Sequence, residues 1–202
     1  MKNNQHFTSQ EHIFKINCED IFLREFTAND LDHFHSLTWQ PEIYKYLPGW
    51  NVSKEQRQDW LVNYEIPENK QFLNAISQGF DISDLRLRLA IILKDTQEFI
   101  GWCCSGIKEE LPLPNREIVY AISKDYRGKG YTTQAAKGMI RYLFENTNIE
   151  ILSSIALVDN MPSNKVIEKS GFIFQNVIKI DDEKYNYYKL HKNNWADCLK
   201  NI

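Results

Sequence analysis

The chain has 202 residues, 43% hydrophobic and 25% charged, which suits one soluble domain with a sizeable core. Lys and Arg number 24 against 27 Asp and Glu, so no basic excess points to direct nucleic-acid binding. No apolar run reaches the length of a membrane span, and the N-terminal MKNNQHFTSQEH lacks the apolar centre of a signal peptide.

The elements follow in chain order. Residues 1–11 are polar and are expected to be loose and flexible; residues 12–202 are read as one domain. IFLREF (21–26) predicts a short strand. TAND (27–30) has the form of a capping box, and Leu31, Phe34 and Leu37 continue it as a helical stripe until Pro41. SKEQ (53–56) opens a further helix with Trp60, Leu61 and Tyr64 on one face, and ENKQFLNAISQGF is read as helix. The character then changes. LRLRLAIIL (85–93) and EFIGWCCSGI (98–107) predict a β-hairpin, and REIVYAI (116–122) another strand. A helix from about Thr132 to Asn146, a strand within 149–158, a short helix from about Pro162 to Lys169 ended by Gly171, and a last hairpin around the acidic turn DDEK complete the chain. This order predicts an α+β domain with a mixed, mostly antiparallel central sheet flanked by helices.

The four cysteines, Cys18, Cys103, Cys104 and Cys198, show no CxxC spacing and no histidine pattern suited to zinc. They read as reduced thiols of a cytoplasmic protein, and no metal is expected. In a strand, Cys103 and Cys104 point to opposite faces and do not pair.

Two segments carry chemistry. DYRGKGYTT places Gly128 and Gly130 between a strand and a helix start, with Arg127 and Lys129 beside them. Uncapped N–H groups at a helix start, with no side chain in the way, bind phosphate. The same pattern also occurs in plain surface turns. It is neither a Walker A loop nor the dinucleotide GxGxxG. About thirty residues on, NMPSNKVIEKSGF sets Asn160 at a strand end and Ser163 at a helix start, where either side chain also serves as a cap.

Together the segments resemble the GNAT superfamily, the Gcn5-related N-acetyltransferases. Arg127-Gly128-Lys129-Gly130-Tyr131-Thr132 is similar to that family's [RQ]-x-x-G-x-[GA] coenzyme A motif, with Thr132 in place of the final small residue. Asn160, Ser163 and Gly171-Phe172 match its N-x-x-[AS] helix ending in G-F. EIVYAI, GKGYTTQA and NMPSNKVIEKSGF, with the W-x-P-E-I-x-K-Y-L stretch near the N-terminus, resemble the RimJ/RimL branch, which acetylates ribosomal-protein N-termini. The resemblance implies the GNAT fold, with acetyl-coenzyme A as co-substrate. The backbone of Arg127, Gly128, Lys129, Gly130, Tyr131 and Thr132 would cradle its pyrophosphate. Tyr120, Ala121 and Ile122 would pair with the pantetheine arm through their backbone, and the Asn160 side chain would bond the same arm.

Acetyl transfer needs a neutral amine, a site for an oxyanion and a proton for the leaving thiolate. The tyrosine acid of many relatives falls at Ile167 here, which leaves Ser163 as the candidate acid, or as a helix cap only. For the base, Glu117 and Asp182 are the candidates, against surface pairing for the first and a solvated turn for the second. Trp102 and nearby tyrosines either line an acceptor cleft or pack in the core. The acceptor is expected to be a primary amine, foremost a protein N-terminal α-amine. A small amine (an aminoglycoside, a polyamine or an amino-acid analogue) is the alternative, and a non-catalytic coenzyme A-binding protein the third reading. A monomer or homodimer is expected.

Overall fold

In the computed structural model, which describes residues 13–79 and 81–200, the central strands fall on near-continuous apolar runs. The strands are β1 (Lys15–Asn17), β2 (Ile21–Glu25), β3 (Leu87–Leu93), β4 (Phe99–Ile107), β5 (Arg116–Ile122), β6 (Ile151–Leu157), β7 (Ile173–Ile180) and β8 (Glu183–His191). All eight join one sheet in the order β1-β2-β3-β4-β5-β6-β8-β7. Every neighbouring pair is antiparallel except β5 and β6. The helices are α1 (Leu31–Thr38), α2 (Pro41–Tyr44), α3 (Lys54–Trp60), α4 (Ile66–Ser77), α5 (Tyr131–Asn146), α6 (Met161–Lys169) and α7 (Lys192–Lys200). The result is the expected single α+β domain, a mixed sheet flanked by helices. The segment 1–11, expected to be loose, lies outside the described residues. Among the described residues no helix is long and apolar enough to cross a membrane.

Three features were not legible beforehand. β1 is three residues long, too short to show a period. α7 has no cap signal in the sequence. Between α3 and α4 the helix widens to a π turn over Leu61–Glu65, where the Ile66 N–H reaches back to Leu61 O. Pro67 explains the widening: it has no N–H for the carbonyl four residues back, and its ring would strike that carbonyl in an α-helix.

Both faces of the central strands are buried. On the back face Leu87, Leu89 and Leu152 pack with Ala136, Met139 and Ile140 of α5. On the front face Phe22, Ala90 and Trp102 pack with Phe34 and Leu37 of α1. Cys103 joins the first cluster and Cys104 the second, the opposite orientations expected of neighbours in a strand. Cys18, Cys103 and Cys104 are free thiols.

The parallel pair positions the site. β5 and β6 register at Glu117↔Ser153, and no Cα partner follows along either strand. The Ser154 hydroxyl donates to Ile118 O at 3.0 Å, closing the last shared point. Beyond it the β6-facing backbone edge of residues 119–122 has no ladder partner, although β4 pairs with the other edge throughout.

Candidate active site

The loop after β5 is built to hold its glycines in the left-handed region. Gly128 has φ +77° and Gly130, the N-cap of α5, has φ +84°. Any L side chain is strained there. A Cβ added to either would meet no protein atom within 4 Å, so the space before the loop is open. No side chain caps α5. Its first N–H groups and the positive end of a 16-residue helix therefore face that space. A phosphate fits this donor set. Arg127 turns away from it, donating to Glu42 O at 2.9 Å, and Lys129 lies over the Tyr126 ring at 5.3 Å. Tyr131 is half-buried and Thr132 buried, so the threonine side chain points into the protein rather than crowding the loop.

Gln40 was missed from the sequence. Its Nε2 donates to the Ser123 hydroxyl at 3.0 Å, and its Oε1 accepts the Lys124 N–H at 2.9 Å. With Arg127 it ties the loop to the start of α2. The only sequence signal was its position before Pro41.

Alternation along β5 separates the remaining candidates. Tyr120 and Ile122 point to the back face with Ile118, whereas Glu117 and Ala121 point to the front with Val119. On the back face, Asn160 caps α6: its Oδ1 accepts the Ser163 N–H at 3.3 Å. The Tyr120 hydroxyl donates to Ser163 O at 3.1 Å and lies 3.2 Å from Ser163 Oγ. Burial pushes the Tyr120 phenol well up, so it keeps its proton at neutral pH. Ile167 is part of the core, 1% exposed, and carries no chemistry.

Asn164, also missed, fixes this helix start. Its Nδ2 donates to Leu157 O (3.0 Å) and Asn160 O (2.9 Å); its Oδ1 accepts from Asn186 Nδ2 (3.0 Å) and the Tyr188 hydroxyl (2.8 Å). Every valence of a buried amide is satisfied.

On the front face, Glu117 is half-buried at the point where β5 and β6 part. Burial of its carboxyl pushes it up to about 7, opposed by Lys108 and by the Ile155 N–H that it accepts. Asp182 is different. It stands in solvent at the β7–β8 tip and pairs with Lys179 at 3.1 Å. Trp102 is fully buried and stacks on Trp50 at 4.6 Å, a core role.

Residues 20–173 match the family model described as an acetyltransferase (GNAT) domain. The chain belongs to that family and is an N-acetyltransferase. The uncharacterized N-acetyltransferase p20 of Bacillus licheniformis is 27% identical over 169 residues, 82% of this chain and 85% of that one. The uncharacterized N-acetyltransferase YnaD of Bacillus subtilis is 23% identical, covering 89% and 98%. Among solved structures, the ribosomal-protein-S5-alanine acetyltransferase of Vibrio fischeri is similar in fold, with TM-score 0.69, 15% identity, and 90% and 98% covered. An aminoglycoside acetyltransferase in complex with coenzyme A is equally similar, with TM-score 0.68, 17% identity, and 88% and 98% covered.

Proposed function

We propose that this enzyme transfers the acetyl group of acetyl-coenzyme A to a primary amine, foremost the α-amine of a peptide N-terminus. The observation that carries this reading is Glu117, a carboxyl held at about 7 where β5 and β6 part. When bound, acetyl-coenzyme A supplies a thioester; everything else falls to side chains and backbone of this chain. The glycine loop and the α5 N-terminus bind the pyrophosphate. The free edge of Tyr120, Ala121 and Ile122 takes the arm, with help from Asn160, and aims N–H groups at the carbonyl oxygen as it gains charge.

Glu117 then removes a proton from the ammonium on the front face. An α-amine of pKa about 8 lies roughly one unit above it, a penalty of about 1.4 kcal/mol; a lysine amine near 10.4 would cost about 4.6 kcal/mol. That difference favours the α-amine. On the back face the Ser163 hydroxyl donates a proton to the departing thiolate, held in place by its contact with Tyr120. Base and acid thus sit on opposite faces of β5, beside the edge that takes the arm.

Thiol release with a panel of amines, supplied with acetyl-coenzyme A, tests the reading. Unblocked peptides should turn over faster than polyamines or aminoglycosides, and mass spectrometry should locate the acetyl group on the α-nitrogen. Turnover of small amines alone would replace the acceptor class. Coenzyme A binding without thiol release from any amine would replace catalysis with a binding role.

A further inference from the structure

A cavity of about 680 Å³ opens beside the front face, walled by Trp50, Trp60, Tyr64 and the π turn. Arg57 and Arg88 reach it from behind and below, and its positive charge is incompletely balanced. Arg57 is fully buried, with its guanidinium over the rings of Phe34 (4.5 Å), Trp60 (5.1 Å) and Trp50 (5.5 Å). One nitrogen donates to Trp50 O at 2.8 Å. Its Nε and Nη1 have no hydrogen-bond acceptor, and Nη1 stands 3.5 Å from Glu65 Oε1. Arg88 pairs with that same oxygen of Glu65, and its own Nε is unpartnered. Two guanidinium groups therefore share one oxygen of a single carboxylate in an aromatic enclosure, while its other oxygen, Oε2, has no donor. Buried charge left without a counter-charge is costly, and a ligand that supplies the anion recovers the cost.

Arg86, at the mouth, adds a third cation. Glu68 accepts its backbone N–H at 3.2 Å, while its guanidinium has no carboxylate partner among the described residues. Three cations thus face Glu65 and Glu68. The π turn that Pro67 imposes belongs to this wall and carries Asn63, Tyr64 and Glu65. Such turns recur at functional sites.

The cavity also shares a row of the sheet with the proposed base. Gly106 stands opposite Glu117 in the β4–β5 ladder. A Cβ on Gly106 would lie 2.7 Å from Arg86 Cγ, so the stem of Arg86 runs across this glycine on the same face. Two strand spacings, about 10 Å, separate the Arg86 and Glu117 backbones. Three extended residues span the same distance, at about 3.3–3.6 Å each.

We infer that this cavity is an acceptor subsite for a carboxylate, carried about 10 Å from the amine: in a peptide, an acidic third residue. The carboxylate enters beside Arg86 and Arg88, and Arg57 contributes its field from behind. The inference rests on the reading of Glu117 as the place of the amine.

The test uses already acetylated peptides, so that it measures the subsite without turnover. Acetyl-Ser-Ala-Glu amide and acetyl-Ser-Ala-Gln amide are titrated into the enzyme with coenzyme A present, and followed by tryptophan fluorescence. The Glu peptide should bind at least tenfold tighter at low salt, with the advantage shrinking as salt rises. Arg86→Gln, a change at an exposed site that leaves the fold intact, should cut the advantage below threefold with coenzyme A affinity unchanged. Equal affinities, a tighter Gln peptide, no binding of the Glu peptide, or an advantage that survives Arg86→Gln would overturn the subsite. Discrimination in binding with no thiol release from the unacetylated Glu peptide would instead overturn the peptide-amine reading and leave the subsite standing.

Discussion

Glu117, the proposed base, would couple function to stability. Its carboxyl is raised from an ordinary 4.5 to about 7 by burial, so folding disfavours its charge. Below about pH 4.5 it is protonated in both states. Between there and about 7 the unfolded chain loses the proton first, so this residue lowers stability progressively, and above about 7 the full penalty applies. Glu117→Gln should therefore be more stable than the parent at pH 8, by roughly 1–3 kcal/mol, and no more stable at pH 4. Urea unfolding at the two pH values checks this. The same variant should lose about a hundredfold in turnover at pH 7.5 and lack the rise of rate through pH 7. Asp182 offers the contrast: Asp182→Asn, at a fully solvated tip, should leave kcat within about twofold at every pH. A large loss there, with Glu117→Gln active, would move the base to the hairpin. Ser163→Ala should lower kcat by up to about a hundredfold with coenzyme A affinity little changed; Tyr120→Phe, which loses only the contact to Ser163, should fall between.

At the scale of elements, the glycine loop and the start of α5 form the proposed anion-binding unit. Gly130→Val costs twice. A β-branched residue at φ +84° strains the N-cap by about 1–2 kcal/mol, and its methyl groups occupy the open space before the helix. Calorimetry should show coenzyme A binding weakened by tenfold or more, in a protein that still unfolds cooperatively at a lower temperature. Unchanged affinity would mean that the loop does not hold the coenzyme. Gly101 is a different case, with ordinary backbone. A Cβ there would lie 2.3 Å from Ala121 O, so its role is to let β4 approach β5 closely, on the edge of β5 opposite the free one.

For the whole molecule, the proposed coenzyme site joins elements distant in sequence: the loop held by Gln40 before α2, the edge of β5 and the Asn164-bound start of α6. Coenzyme A at 100 times its dissociation constant should stabilise the fold by about 2.7 kcal/mol, raising the melting temperature by roughly 5–10 °C. Thermal melts of the parent and of Gly130→Val at one coenzyme concentration provide the check, since the variant should show a much smaller rise.

Local pattern determined most of the architecture. Alternation in REIVYAI gave β5 at its observed bounds, Ser53 caps α3 through the Gln56 N–H, and Gly171 ends α6 at φ +96°. The left-handed turn at Gly128 and Gly130 was legible because it is written in local backbone geometry. Tertiary structure decided what depends on distant neighbours. Glu117 and Asp182 are both carboxylates of strand-and-turn segments in sequence; only the fold buries the first where β5 parts from β6 and leaves the second in water at a hairpin tip. Arg57, Glu65 and Arg88 lie on a helix, a π turn and a strand, and nothing in their spacing announces that they share one enclosure. Hydrogen-bonding pattern is local and periodic, so sequence carries it; burial and counter-charge are set by the whole fold, so only the fold reveals which carboxylate is buried and which is solvated.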